Sequence, residues 1–223
     1  MARLAVTFGS SAIGLEGRDL GAAIEARGAI ALQRHGTGTY RLPHVIDHAA
    51  NLRALQDAGC DRVLAIGSVG SLDADIPIGS FVCPDDFIAL QIAVTTFDDA
   101  RAHATPGFDG DWRIAVIAAW ERLFPDTLRD GGVYWQANGP RFETPAEIRL
   151  MAAHASLVGM TLASECIVAG ELGLRYAAVC VVDNLANGIG SLPLSPAELE
   201  ADRRTNADRL ADTLDAVLPE IAG

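Results

Sequence analysis

The sequence predicts an α/β fold in which one β-sheet is covered by helices on both faces. Short apolar runs alternate with segments of helical periodicity along the whole chain, and small polar or glycine-rich loops follow many of these runs. The 223 residues are enough for one large domain, and no repeat or linker divides them. We therefore expect residues 1–223 to form a single domain.

Seven apolar runs are expected to be strands because they are short and bounded by turn residues. In chain order they are 4–8, 30–32, the run RVLAI after Asp61, 81–83, 133–136, 157–160 and 176–182. The third run is expected to enter a glycine-rich turn, GSVGS.

Helices are expected between these runs, at about 45–58, at about 112–123 and from about 163. Two further helix starts are marked by TPAE from Thr144 and by SPAE from Ser195. Each motif has a capping hydroxyl, proline at the first helical position and glutamate at the third. The stretch 95–111 has little pattern and predicts no long element.

The net charge is -12, from 29 acidic and 17 basic side chains. Such a surface repels polyanions, so we expect neither a nucleic acid nor an anionic membrane as partner. The four cysteines form no C-x-x-C pair and lie in apolar contexts, which indicates buried, reduced thiols. The apolar run at the start of the chain is too short for a signal peptide, so a cytoplasmic protein is expected.

Loops at the strand ends carry the candidate chemistry, because ligands of such folds bind there. They read GSS, RHG, GSVGS, NGPRFET, GMT and DN. Glycine turns expose backbone N–H groups, Ser11, Ser68 and Thr161 add hydroxyls, and Arg34 supplies a planar fork of donors. These loops together indicate an anion site.

A metal site is not expected. His44 and His48 would share a helix face, with Asp47 beside them, but the chain has no H-E-x-x-H motif and no third ligand in view.

Four segments carry a resemblance to a known family: RHGTGTYRLPHVIDHAANLRAL, GSVGSL, NGPRFETPAEIR and VGMTLASECIVAGELGLRYAAVCVVDN. In content and order they resemble the trimeric purine nucleoside phosphorylase and methylthioadenosine phosphorylase family, with a pattern closest to its methylthioinosine branch. The resemblance implies a three-layer fold with a mixed, partly barrel-like sheet flanked by helices. It also implies a homotrimer that needs no cofactor and no metal, with inorganic phosphate as co-substrate.

The resemblance also implies roles for individual residues. Ser11, Arg34, His35, the turn at Ser68 and Thr161 would hold phosphate. The nucleoside would occupy the other side of the pocket. Its base would be flanked by Val69, Gly70 and Phe142, and its ribose would pack on Met160. Glu143 and Asn184 would face the polar edge of the purine. Asn184, Glu143 and His35 are the residues expected to act in catalysis.

The implied reaction is phosphorolysis of a purine nucleoside. Asn184 would donate to N7 or O6 of the departing base, and Glu143 would accept from N1–H. Because the adenine-specific branch has aspartates where this chain has Asn184 and Ala186, we expect a 6-oxopurine. The segment LPLSP at 192–196 lacks the histidine that meets a 5′-hydroxyl, which favours a methylthio substituent.

Three alternatives stay open. The chain could be an adenine-type methylthioadenosine phosphorylase, a nucleoside hydrolase that uses water instead of phosphate, or a nucleoside-binding protein without activity.

Two parts of the chain depart from the family pattern. The stretch 95–111 matches the family poorly, and Thr39 stands where a second histidine is common.

Overall fold

A computed structural model describes residues 3–9, 19–190 and 196–222, with the backbone alone for 196–201. The strands are β1 Leu4–Phe8, β2 Ile30–Gln33, β3 Arg62–Ser71, β4 Phe81–Cys83, β5 Asp86–Ile88, β6 Leu128–Asp130, β7 Val133–Gln136, β8 Leu157–Gly159 and β9 Arg175–Leu185. The α-helices are α1 Leu20–Ala26, α2 His48–Asp57, α3 Gly110–Leu123, α4 Pro145–Ala152, α5 Leu162–Glu171 and α6 Pro196–Ile221. Short 3-10 helices lie at Pro43–Val45 and Ala100–Ala102.

The described strands form one mixed sheet in which the main path runs β5-β7-β8-β3-β9-β4-β6, and β1 joins β3 to β2. Strand β3 pairs with β9 along its whole length, but its other edge changes neighbour. Its first residues pair with β1 in parallel, whereas Gly70 and Ser71 pair with β8 in antiparallel. This exchange of neighbours accompanies the curl of the sheet, and the expected mixed, partly barrel-like sheet is confirmed.

Helices cover both faces of the sheet, as expected. On one face, α1, α3 and α6 pack on alternate strand residues such as Val6, Ile66 and Val179. On the other face, α2 and α5 pack on the intervening residues, such as Val63 and Ala178. Because side chains alternate across a strand, each continuous apolar run supplies two separate cores.

The glycine-rich turn expected at GSVGS is wrong, since these residues belong to the buried strand β3. Their glycines serve close packing instead. A Cβ placed on Gly67 would lie 2.7 Å from Leu162 Cδ1, and one on Gly70 would lie 3.2 Å from Asn184 Nδ2. The pairing of this segment with β9 shifts register between Val69 and Gly70.

The helix expected from residue 45 starts at His48, because Pro43–Val45 forms a 3-10 turn and the Asp47 carboxylate then caps the Ala50 amide at 2.8 Å. The capping box of α4 is confirmed: the Thr144 hydroxyl accepts from the Glu147 amide, and the Glu147 carboxylate accepts from the Thr144 amide. The second capping residue, Ser195, lies outside the described residues.

All four cysteines are free and buried, as expected. The stretch 95–111 contains one 3-10 turn and is tied down by hydrogen bonds from Thr95 and Thr96 to the Glu171 carboxylate. Among the helices of the described ranges, none is both long enough and apolar enough to cross a bilayer.

Candidate active site

A cavity of about 250 Å³ opens where the carboxyl-terminal halves of β3 and β9 meet β8 and α6. Every site residue expected from the sequence that lies in the described part of the chain lines this cavity. These residues are Arg34, His35, Ser68, Val69, Gly70, Phe142, Glu143, Met160, Thr161 and Asn184. Ser11 lies outside the described residues, as does most of the segment 192–196.

The Arg34 guanidinium is buried in a bidentate ion pair with Glu165 of α5. Nε donates to Oε1 at 2.8 Å and Nη2 donates to Oε2 at 2.9 Å, with side-chain exposures of 2% and 0%. Nη2 also donates to the Thr7 hydroxyl, and Nη1 donates to the Ile66 carbonyl. Four of the five guanidinium N–H groups are therefore engaged by the protein, and one on Nη1 is left for a ligand.

Glu165 is held ionised by its partners. Burial by itself would raise the pKa of this carboxyl, but the charge and hydrogen bonds of Arg34 keep it below its usual value. The Tyr176 hydroxyl donates to the same carboxylate at 2.9 Å. Arg34 lines the cavity and Glu165 lies behind it, so the net charge of the pair is close to zero.

Gly9, at the end of β1, packs directly against Arg34 and His35. A Cβ there would stand 3.0 Å from both Arg34 Nη1 and His35 Nε2. Only a residue without a side chain lets the backbone pass so close to both groups.

His35 is oriented by its own loop. Its Nδ1 lies 2.7 Å from the Arg41 carbonyl, which can only accept, so Nδ1 carries the proton. Burial lowers the pKa of His35, which keeps the ring neutral at pH 7 and leaves Nε2 as an acceptor. The ring stacks on Tyr40, with centroids 4.6 Å apart and planes 9° from parallel.

Ser68 is engaged by a neighbour that the sequence did not assign to the site. Its hydroxyl donates to Asp183 Oδ2 in a very short hydrogen bond, and Asn206 Nδ2 donates to Asp183 Oδ1 at 2.9 Å. Burial raises the pKa of Asp183 although both hydrogen bonds oppose the shift. Arg203 Nε of α6 lies 3.8 Å from Asp183 Oδ2, beyond hydrogen-bond distance.

The first turn of α5 already has most of its donors paired. The amides of Thr161 and Leu162 donate to the Tyr134 hydroxyl at 3.1 and 3.3 Å, and the Ser164 amide donates to Gln136 Oε1. Thr161 makes no side-chain cap. The threonine hydroxyl, rather than the helix N–H groups, is therefore what this end of α5 offers to an anion.

Glu143 and Asn184 lie at the other end of the cavity. Burial raises the pKa of Glu143, which is 8% exposed, and its carbonyl accepts from Asn187 Nδ2 at 2.9 Å. Asn184 Nδ2 donates to the Leu185 carbonyl at 2.9 Å and packs on Gly70. The Asn184 oxygen and its second amide hydrogen keep hydrogen-bonding capacity for a ligand.

The positions of contacts along strand β3 show how far apart the Arg34 end and the Asn184 end of the cavity lie. Arg34 bonds at Ile66, Ser68 bonds to Asp183, and Asn184 packs at Gly70. From Ile66 to Gly70 the strand advances by four residues, which is roughly 13 Å. The end of the cavity at Arg34 and the end at Asn184 are therefore separated by about the length of a small two-part ligand.

Sequence reasoning missed Glu165, Asp183, Arg203, Tyr40 and Asn187. Glu165 had a usable signal, because it is a lone acid on the otherwise apolar helix segment LASECIVAG and a buried acid needs a partner. His44 lies in the 3-10 turn at Pro43–Val45 and His48 begins α2, so the two do not share one helix as expected. The part of the chain that is described contains no group of three metal-ligating residues.

Known proteins resemble this chain in sequence and in fold. Residues 21–219 match the family described as the phosphorylase superfamily. The chain is 40% identical over 176 residues to a probable 6-oxopurine nucleoside phosphorylase of Archaeoglobus fulgidus, covering 79% of this chain and 72% of the relative. It is 32% identical over 203 residues to a probable S-methyl-5′-thioinosine phosphorylase of Methanothermobacter thermautotrophicus, covering 89% and 70%.

Solved structures share the fold. Methylthioadenosine phosphorylase from Schistosoma mansoni in complex with adenine superposes with a TM-score of 0.80 at 22% identity, over 98% of this chain and 91% of that one. With a family match over most of its length and relatives above 30% identity, the chain belongs to the phosphorylase superfamily.

Proposed function

We propose that the protein is a purine nucleoside phosphorylase that acts on 6-oxopurine nucleosides. Phosphate attacks C1′ of the sugar, the C1′–N9 bond breaks, and its electron pair leaves with the base, which takes a proton. The products are the free base and ribose 1-phosphate or its 5′-modified analogue. The observation that carries this proposal is one cavity with a carboxamide and a carboxylate at one end and a neutral histidine, the Thr161 hydroxyl and a guanidinium N–H at the other.

In this proposal, Glu143 and Asn184 read the base. A carboxylate accepts from N1–H, and an amide donates to N7 or O6, where negative charge develops as the bond breaks. Each such preorganised donor typically contributes on the order of 10²–10³ in rate. Phe142, Val69 and Gly70 would flank the ring, and Met160 would support the ribose. The pairing of a carboxylate with a carboxamide favours a 6-oxopurine over adenine.

Phosphate would occupy the end near His35, Thr161 and the remaining Arg34 N–H, with Ser11 and Ser68 as further contacts. Anchoring phosphate beside C1′ makes the attack effectively unimolecular. Such positioning can lower the activation free energy by roughly 7–11 kcal/mol at its best. Neither a metal nor an organic cofactor enters this scheme.

We also propose an oligomeric state and a cellular compartment for the protein. Leu42 and Phe142 at the cavity and Leu90 and Leu150 at the adjoining groove are exposed apolar side chains, which supports self-association, proposed as a homotrimer. Four free cysteines are typical of a reducing compartment, which supports cytoplasmic purine salvage. Light scattering of the purified protein tests the trimer.

One assay panel tests the activity. Inosine, guanosine, adenosine, methylthioinosine and methylthioadenosine are incubated with and without phosphate, and base and sugar products are separated. We expect phosphate-dependent release of hypoxanthine or guanine, with methylthioinosine as a substrate. Equal turnover without phosphate, giving a free sugar, would identify a hydrolase instead. Fastest turnover of methylthioadenosine would identify the adenine-type enzyme, and hypoxanthine binding without cleavage of any substrate would identify a binding protein.

A further inference from the structure

The cavity contains two guanidinium groups in the described part of the chain, and they differ in how far the protein already engages them. Arg34 donates four N–H groups to the protein and is neutralised by Glu165 in a bidentate pair. It retains one N–H and little net charge for an incoming anion. A second cation at the cavity would therefore strengthen the binding of a negatively charged co-substrate.

Arg203 of α6 lines the same cavity and is engaged less completely. Its Nε is buried and has no hydrogen-bond partner among the described residues. The nearest acid is Asp183, whose Oδ2 lies 3.8 Å away and already accepts from Ser68, while Oδ1 accepts from Asn206. The Arg203 side chain is 21% exposed, so its charge is largely removed from water without being fully paired.

Arg203 lies close to Ser68, between the Arg34 end and the Asn184 end of the cavity. Asp183 Oδ2 joins it to Ser68, and Ser68 lies on β3 between Ile66, where Arg34 bonds, and Gly70, where Asn184 packs. A guanidinium there presents several donors in one plane, the geometry that suits a phosphate oxyanion.

We propose that Arg203 binds the phosphate co-substrate and sets the affinity of the enzyme for it. The proposal rests on the proposed phosphorylase function, and it adds a residue of the last helix to the phosphate contacts proposed for Arg34, His35 and Thr161. Asp183 then serves as a positioning residue, because it holds Ser68 and Asn206 and limits the orientations open to Arg203.

The test compares Arg203→Gln, Arg203→Lys and the control Arg204→Gln, which changes the exposed neighbouring arginine on the same helix. Because hydrogen bonds to charged groups are strong, Arg203→Gln is expected to raise the KM for phosphate about tenfold or more. The KM for nucleoside is expected to change little. Arg203→Lys keeps the charge without the fork, so its KM for phosphate should lie between those of the wild type and Arg203→Gln.

Binding of inorganic phosphate alone gives a second readout that does not depend on turnover. Calorimetric titration should show weaker phosphate binding for Arg203→Gln than for Arg204→Gln, and the protective effect of phosphate on thermal unfolding should shrink in parallel. Unfolding without phosphate checks that each variant is folded.

Two outcomes overturn the inference. If Arg203→Gln changes the KM for nucleosides according to their 5′ substituent and leaves phosphate affinity unchanged, Arg203 faces the sugar instead. If both affinities are unchanged, it has no ligand. Either result leaves the proposed function intact provided that the wild type cleaves nucleosides only with phosphate, so the two failures are distinguishable.

Discussion

The Arg34 guanidinium and the Glu165 carboxylate face each other in a buried bidentate pair, with Nε–Oε1 at 2.8 Å and Nη2–Oε2 at 2.9 Å. The pair joins the loop after β2 to helix α5; Arg34 lines the cavity, and Glu165 is fully buried behind it. Its two charges lie in a region without exposure to water, so each depends on the other.

Replacing Glu165 with glutamine should destabilise the fold strongly. Removing one partner of a buried ion pair leaves an uncompensated charge, at a cost of about 3–5 kcal/mol. Denaturant unfolding of Glu165→Gln and wild type measures the difference. Glu220→Gln, which breaks an exposed pair with Arg122, is the matched control and should lose far less. An equal loss of unfolding free energy in both variants would show that the buried Arg34 pair contributes no more to stability than the exposed one.

The same pair predicts acid sensitivity. The pKa of Glu165 is lower in the folded state than in the unfolded chain, where a glutamate titrates near about 4.3. Its contribution to stability is therefore present above that value and is lost as pH falls through the folded pKa. The free energy of unfolding of the wild type should fall more steeply with acidification than that of Glu165→Gln. Parallel pH curves would contradict the shift.

Glu143 should make base binding dependent on pH. Because burial raises the pKa of Glu143, its carboxylate begins to take up a proton at a higher pH than an exposed glutamate does. A protonated carboxyl accepts poorly from N1–H, so hypoxanthine affinity should weaken as pH falls through the raised pKa. Glu143→Gln should bind hypoxanthine about 5- to 150-fold more weakly at pH 7, for a loss of ~1–3 kcal/mol. Its affinity should also vary less with pH, and a wild-type slope in this variant would place the titration elsewhere.

A side chain at Gly70 should crowd Asn184. A Cβ there would lie 3.2 Å from both Asn184 Nδ2 and Val158 Cγ1, so Gly70→Ala requires these neighbours to shift by a few tenths of an ångström. We expect a raised KM for nucleoside, because such a shift moves the carboxamide. Gly170→Ala is the control, because its Cβ meets open space on α5 and should stabilise by about 0.5–1 kcal/mol. An unchanged KM in Gly70→Ala would separate Asn184 from the base.

Asn184→Asp should shift the base preference. A protonated aspartate can serve N7 and a 6-amino group together, whereas an ionised one repels O6. The ratio of kcat/KM for adenosine to that for inosine should therefore rise, by about 5- to 150-fold for a difference of ~1–3 kcal/mol. Thermal unfolding of the variant checks that it folds. Unaltered selectivity would remove Asn184 from base recognition.

Local features of the sequence were sufficient for most of the architecture. The strands at 4–8, 81–83 and 133–136 were predicted within a residue, because continuous apolar runs bounded by turns leave few alternatives. The capping box at Thr144 is also a local device, formed by residues three positions apart. The GSVGS segment was predicted wrongly, because a glycine that makes room for Leu162 or Asn184 has the same appearance in sequence as a glycine in a turn.

The sequence by itself determined the alternation of elements, the layers and, through motif resemblance, ten residues that line one cavity. Only the tertiary structure decided what those side chains contact. Arg34 is committed to a carboxylate 131 positions away, Ser68 is committed to one 115 positions away, and Arg203 reaches the cavity from the last helix. Local propensity and periodicity carry no information about such partners, because a buried charge selects its partner from whatever the folded sheet brings within hydrogen-bond distance.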